Sequence, residues 1–179
     1  MSEVLVAAGK ATGMFFTAPK GTAAPATPGT APGADWSLVG DISEDGISLK
    51  LPSGEVLRNW ALVAKRKINT ENGAITAPIM DTTQKVLETL FGEKNVTTEA
   101  ASSSHGKISS VELAPDAVAD GAAYLFLMKD GDTLAMLYSG DALITEIADI
   151  SLTGTAAAIW NTTIAGTWTF SIDDGQVSS

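Results

Sequence analysis

The stretch Asp81–Gly92, DTTQKVLETLFG, decides how the rest of the chain is read. It holds the one clear helical period, and the segments on either side read as short strands joined by turns. Val86 and Leu90 are four apart, as are Leu87 and Phe91, so Val86, Leu87, Leu90 and Phe91 make one apolar stripe with Lys85, Glu88 and Thr89 off it. Asp81 is placed to cap the N-terminus, with Gln84 reaching back to it as in a capping box. Pro78 prevents an earlier start, and Gly92 supplies a left-handed stop. A helix of about three turns is marginal alone in water, so the stripe must lie on a larger apolar surface. The strands are the only candidate.

Working outward, Asn72-Gly73 marks a turn into a strand over Ala74–Ile79, and Trp60, Leu62 and Ala64 alternate before it. Asp35–Leu51 reads as a hairpin turning near Asp45-Gly46, with Trp36, Leu38, Gly40 and Ile42 on one strand face and Ile47, Leu49 and Leu51 on another. Val4–Ala8 and Met14–Ala18 are short apolar pieces. Downstream, Ile108–Leu113 is a strand, and Ala123–Met128 with Leu134–Tyr138 forms a hairpin closed by Asp130-Gly131. Thr145–Thr153 and Gly166–Asp173 complete the set. In the last, Trp168, Phe170 and Ile172 oppose Thr167, Thr169 and Ser171, the pattern of a sheet with one wet face. About nine or ten antiparallel strands with one helix make a mainly β protein, an antiparallel β sandwich or barrel flanked by one α helix. The length fits a single domain over residues 1–179.

Composition shifts abruptly at Pro19–Gly33, PKGTAAPATPGTAPG, which holds four of the seven prolines and no side chain fit to anchor a core. Proline lacks the ladder donor, so this is neither central strand nor helix. Fifteen such residues are either a disordered excursion or a segment that orders against a partner. On the second reading Pro19, Thr22, Pro25, Pro28 and Pro32 form a contact loop, mobile in the free chain.

The formal net charge of −10 and pI near 4.4 argue against gripping nucleic acid, and Lys65-Arg66-Lys67 is the one basic cluster. No cysteine is present, which excludes disulfides, thiolate metal sites and a thiol nucleophile. No apolar run approaches the ~20 residues that cross a bilayer, and MSEVLVAAGK lacks the basic flank of an export signal, so a soluble, non-secreted chain is expected. His105, the lone histidine, sits among serines in AASSSHG; a loop fits this better than a triad, which needs an orienting acid on a rigid frame. Neither a phosphate-binding loop nor a dinucleotide fingerprint occurs. Asp41–Gly46 resembles the start of a calcium loop, but Pro52 stands where the bidentate Glu belongs. Trp36, Trp60, Trp160 and Trp168 would line a carbohydrate groove only if exposed on one face; at strand positions they read as core. No enzyme, cofactor or metal site is expected.

Three pieces together resemble a known family: GMFFTAPKGTAAP at Gly13–Pro25, WSLVGDISEDGI at Trp36–Ile47 and VLETLFGEKNVT at Val86–Thr97. In this order they are similar to the N-terminal half of major tail tube proteins of long-tailed, noncontractile bacteriophages, particularly those of actinobacteria. The resemblance covers roughly residues 1 to 100 and implies the fold of phage tail tubes and type VI secretion tubes. It implies a virion protein, assembled in the host cytoplasm, whose hexameric rings stack into a hollow conduit for genome ejection. The implied partners are other copies of the chain, the tail tip, tail terminator and tape measure proteins, and double-stranded DNA passing through without specific binding. If acids line the bore, Glu112 and Glu146 on polar strand faces are the candidates. The alternative is a small acidic β-sandwich module that binds a carbohydrate or protein ligand.

Overall fold

The computed structural model describes residues 13–43, 46–50, 54–58, 64–68, 73–112, 119–130, 132–148 and 159–174, with backbone alone at 54–58 and 64–68. In chain order these form β1 (Gly13–Ala18), β2 (Ser37–Asp41), β3 (Ser48–Lys50), β4 (Gly54–Arg58), β5 (Ala64–Ile68), β6 (Gly73–Ile79), α1 (Gln84–Phe91), β7 (Val96–Glu99), β8 (Ile108–Val111), β9 (Ala122–Asp130), β10 (Thr133–Ile147), β11 (Trp160–Gly166) and β12 (Thr169–Asp173). The expected strands at Val4–Ala8 and around Trp60 and Leu62 lie outside the described residues. So does 149–153 of Thr145–Thr153.

The main sheet runs β2-β1-β9-β10-β11-β6-β3, with β12 also on β10, and every pairing is antiparallel. β10 organises it. Its first half pairs β9 on one side and β12 on the other; its second half pairs β11, and the register shifts between Ser139 and Ala142. A strand that changes partners at a bulge turns the corner between two packed layers. The opposite corner is sewn where β2 ends: Ile42 bridges Ile79, the Ser43 amide donates to the Pro78 carbonyl at 2.9 Å and the Met80 amide to that of Asp41 at 3.1 Å. The mainly β sandwich with one helix is therefore as expected from the alternating segments.

Between the layers lies a continuous core in which Phe15, Ile75, Ile79, Phe126, Ile164 and Val86 are fully buried. Phe15 stacks on Phe126 with ring centroids 4.5 Å apart, and Tyr124 lies 5.5 Å from Phe15. Burial pushes the Tyr124 phenol up to about 12. Because the unfolded chain releases this proton near pH 10 and the folded chain holds it to about 12, stability present below pH 10 is lost as pH rises between those values. About 2–3 kcal/mol of alkaline destabilisation is expected, and urea melts of Tyr124→Phe across that window should lack it.

α1 adds Val86, Leu90 and Phe91 to this core, with Leu87 partly buried beside them, so the expected stripe does lie on the sheet. Phe91 meets Trp160 edge-on at 6.0 Å. Three details differ from expectation. The cap is Thr83, whose Oγ1 accepts from the Val86 amide at 3.3 Å, because the Asp81 carboxylate is already taken: its Oδ2 accepts from the Asp41 amide at 2.8 Å. Gln84 accordingly bonds Glu88 rather than reaching back. Thr89 is buried, not off the stripe, since its hydroxyl donates to the Lys85 carbonyl at 2.8 Å and needs no water. The chain does stop at Gly92, but with φ 86 and ψ 137 it adopts an extended positive-φ conformation open to glycine rather than the left-handed helical one expected.

Asp81 thus ties the helix entry to β2, and only glycine at position 40 leaves it room. A Cβ on Gly40 would stand 2.6 Å from Asp81 Oδ2 and 2.9 Å from its Cβ. Gly40→Ala should destabilise by about 1–3 kcal/mol through overpacking and loss of the carboxylate bond. Asp81→Ala in the same background should recover much of the steric part, which a double-mutant cycle on thermal melts reads directly.

The expected Asp35–Leu51 hairpin does not form. β2 pairs β1 and β3 pairs β6, at opposite ends of the sheet order. The reason is Ile42: it is fully buried against β6, so the chain leaving β2 crosses to the other layer instead of folding back. The one-face reading of Trp36, Leu38, Gly40 and Ile42 fails with it. Phe15 pairs Gly40 and Phe16 pairs Leu38, so Val39 is the bulged residue and turns inward while Leu38 is exposed. The hairpin of β9 and β10 forms as expected. Gly166–Asp173 is two strands, with β11 ending at Gly166 and β12 starting at Thr169.

Candidate assembly surface

Pro19–Gly33 contains no helix or strand, as its prolines require, but it is not an unanchored excursion: it lies over the outer face of the chain's own sheet. Beneath it Ala18, Trp36, Ala123, Leu125 and Met136 form a second buried cluster, packed with Phe16, Ala24, Leu127 and Tyr138. Sequence reasoning missed this contact because no apolar side chain of the segment signals it. Ala24 aside, the attachment is through its backbone. The Tyr138 hydroxyl donates to the Thr22 carbonyl at 2.7 Å, Trp36 Nε1 donates to that of Ala23 at 3.2 Å, and the Gly21 amide donates to the Gly140 carbonyl at 2.8 Å. Lys20 and Asp141 pair at 2.8 Å with both side chains well exposed, which adds little. A cavity of about 320 Å³ remains between this arm and the sheet, lined by Met14, Phe16, Pro28, Pro32, Leu127 and Leu134. Pro19 is exposed, and Thr22, Pro25, Pro28 and Pro32 are half-buried, each with part of its surface facing outward.

The remaining apolar exposure is on strands. Leu38, Leu49, Leu143, Phe170 and Ile172 are all at least two-fifths exposed. Phe170 and Ile172 sit on β12 and Leu49 on β3, strands that each pair with one neighbour among the described residues. Unpaired edges with apolar side chains are where another chain adds.

The other sequence candidates are dispersed. Glu112, just past β8, and Glu146, on the second half of β10, are both exposed, and no contact joins them. The His105 ring bonds no serine: Nδ1 lies 2.7 Å from the Gly106 carbonyl and Nε2 3.3 Å from Glu99, while Ser102 and Ser104 bond each other. That is the hydrogen bonding of a turn. Trp36 and Trp160 are core, as expected for strand-associated indoles. The side chains of Lys65, Arg66 and Lys67 lie outside the description. Among the described residues no group of His, Asp and Glu is placed to hold a metal ion, and no helix is long and apolar enough to cross a membrane.

Besides apolar strand edge and arm, the surface offers an open cleft of about 450 Å³ lined by Asp35, Lys85, Glu88, Glu93 and Asp120, in which no serine–histidine pair and no metal-binding group is placed among the described residues. A family profile described as phage tail tube protein matches residues 1–165. The chain belongs to the phage tail tube protein family. It is therefore a structural subunit of a virion tail. No curated protein matches the sequence. Family membership also explains why both edges and the arm carry exposed apolar groups: a tube subunit must present surface to other copies of itself. The missed strand β11 had a readable signal. Trp160, Thr162, Ile164 and Gly166 alternate and are all buried.

Proposed function

We propose that this chain is a major tail tube subunit whose copies form hexameric rings, stacked into the conduit through which the phage genome is ejected. The match to the tail tube family over residues 1–165 carries this reading. The whole of residues 1–179 acts as one domain, without catalysis. Tail tip, terminator and tape measure proteins bound the tube at its ends and set its length. The arm, through Pro19, Thr22, Pro25, Pro28 and Pro32, forms part of the contact between rings or between neighbours within a ring. Its backbone is already seated on the subunit, so little ordering entropy is lost when a neighbour covers it. Purified protein, concentrated and viewed by electron microscopy, should show rings or tubes of uniform diameter. A monodisperse monomer at every concentration would overturn the proposal.

The acidity fits a conduit. Six copies at −10 each carry −60 per ring. DNA bears one negative charge per ~1.7 Å of axis, so a basic lining would release counterions and hold it, whereas an acidic one lets it slide. Fields are screened within ~8 Å at physiological salt, so only carboxylates facing the bore act on DNA. Glu112 and Glu146 are the proposed lumenal acids. Glu112→Lys with Glu146→Lys should leave tails intact and slow ejection several-fold at low salt, with added salt restoring it. Unchanged ejection would remove these two residues from the bore.

A further inference from the structure

On the proposed reading of the chain as a self-assembling tube subunit, we propose that the core-facing side of β12 is the docking surface for a neighbouring copy. Two rows of side chains cross β9, β10 and β12 in register. One is Phe126, Leu137 and Phe170; the other is Met128, Ala135 and Ile172. Paired residues of antiparallel strands point to the same side of a sheet, so both rows belong to the face that lines the core. Burial holds across two strands and then fails. Exposure is 0% at Phe126 and 3% at Leu137 but 50% at Phe170; it is 7% at Met128 and 1% at Ala135 but 56% at Ile172. The core of the sandwich therefore runs out sideways onto an uncovered strand.

Two independent features mark the same place. Trp168, one residue before β12, has its ring 6.0 Å from that of Phe126, and its buried Nε1 finds no acceptor among the described residues. Trp160 Nε1 in the main core is likewise without an acceptor among the described residues, so it is the place of Trp168 beside the uncovered strand that suits its N–H to an acceptor brought by another chain. The edge itself is undefended. Natural edge strands are blunted by shortness, lysine or proline, as β3 is by its three residues ending in Lys50. β12 is longer, five residues, and carries no proline or lysine; its one charge, Asp173, stands at its very end, beyond Phe170 and Ile172. A second copy is the occupant that the tail tube family supplies, and a heterologous contact of this kind repeats around a ring. It adds a strand or loop to the β12 edge, covers Phe170 and Ile172, and offers a carbonyl to Trp168.

Phe170→Ser with Ile172→Ser, in the full chain, tests this. The double variant should stay folded and lose less melting temperature than Leu90→Ala, because both side chains are half-exposed in the subunit, while the critical concentration for tube growth rises by about tenfold or more. Growth at the wild-type concentration overturns the proposal. So does a fall in melting temperature as large as that of Leu90→Ala, which would mean that the chain itself already covers this face. Hydrogen exchange on wild-type protein gives a second reading without mutation. The amides of 169–173 that face away from β10 should gain protection in tubes, those already bonded to β10 serving as the internal reference, and equal exchange in both states overturns the docking surface while leaving the tube standing. Absence of rings and tubes from wild-type protein removes the tube itself, and the docking surface with it.

Discussion

Leu90→Ala should lower the free energy of unfolding by about 3–5 kcal/mol, a third or more of the stability of an ordinary domain. Leu90 is 2% exposed and packs with Val86 and Phe91 into the interior between the layers. Truncation leaves a void that neither α1 nor the sheet can close. α1 is held at both ends, by the Thr83 cap and the Asp81 clamp at its entry and by Gly92, whose amide donates to the Glu88 carbonyl at 2.9 Å. Leu87, although four residues from Phe91 on the same stripe, is only partly buried, so Leu87→Ala should cost less than half as much. Denaturant unfolding of both variants, with unchanged m-values, checks the ordering. Equal and small effects would mean that the stripe is not seated on the sheet and is kept for another copy.

This asymmetry shows where the sequence was legible. The period of α1 and the alternation in β9 and β10 are local, and each could be read from a dozen residues. What escaped was non-local. Asp35–Leu51 has every local mark of a hairpin, yet burying Ile42 against β6 outweighs the turn and sends β2 and β3 to different ends of the sheet. Asp81 is a good cap by residue type, but its carboxylate is satisfied by a strand forty positions earlier. Alternation identified Phe170 and Ile172 as the apolar face of a strand; only the pairing of β12 with β10 shows that this face leaves the core uncovered. The class of protein was legible for a different reason: family resemblance rests on ordered residues, not on knowing which strands meet.

The arm gives the second large effect. Trp36→Ala should destabilise the free subunit by about 3–5 kcal/mol and release Pro19–Gly33 from the sheet. From its sequence alone the segment is expected to be mobile until a partner orders it, and truncating a neighbouring residue would then change little. The structure supplies a reason for a large effect. Trp36 is 9% exposed, lies edge-on to Tyr138 at 6.2 Å, and roofs Leu125 and Met136 on the side of the sheet away from the main core. Its indole N–H also holds the Ala23 carbonyl, so one side chain both fills the second cluster and fixes the strap that covers it. Trp36→Phe separates these roles. It keeps most of the apolar bulk and loses the bond to Ala23, and should cost about 1–3 kcal/mol. Thermal melts give the energies, and hydrogen exchange at Gly21 and Thr22, whose amides donate to the Gly140 and Pro19 carbonyls, reports whether the arm has lifted. In the wild-type subunit these amides should be protected before any tube forms, in Trp36→Ala they should exchange freely, and in Trp36→Phe they should fall between. Free exchange in wild-type protein, with Trp36→Ala melting normally, would restore the reading of the arm as a segment ordered only by its neighbours.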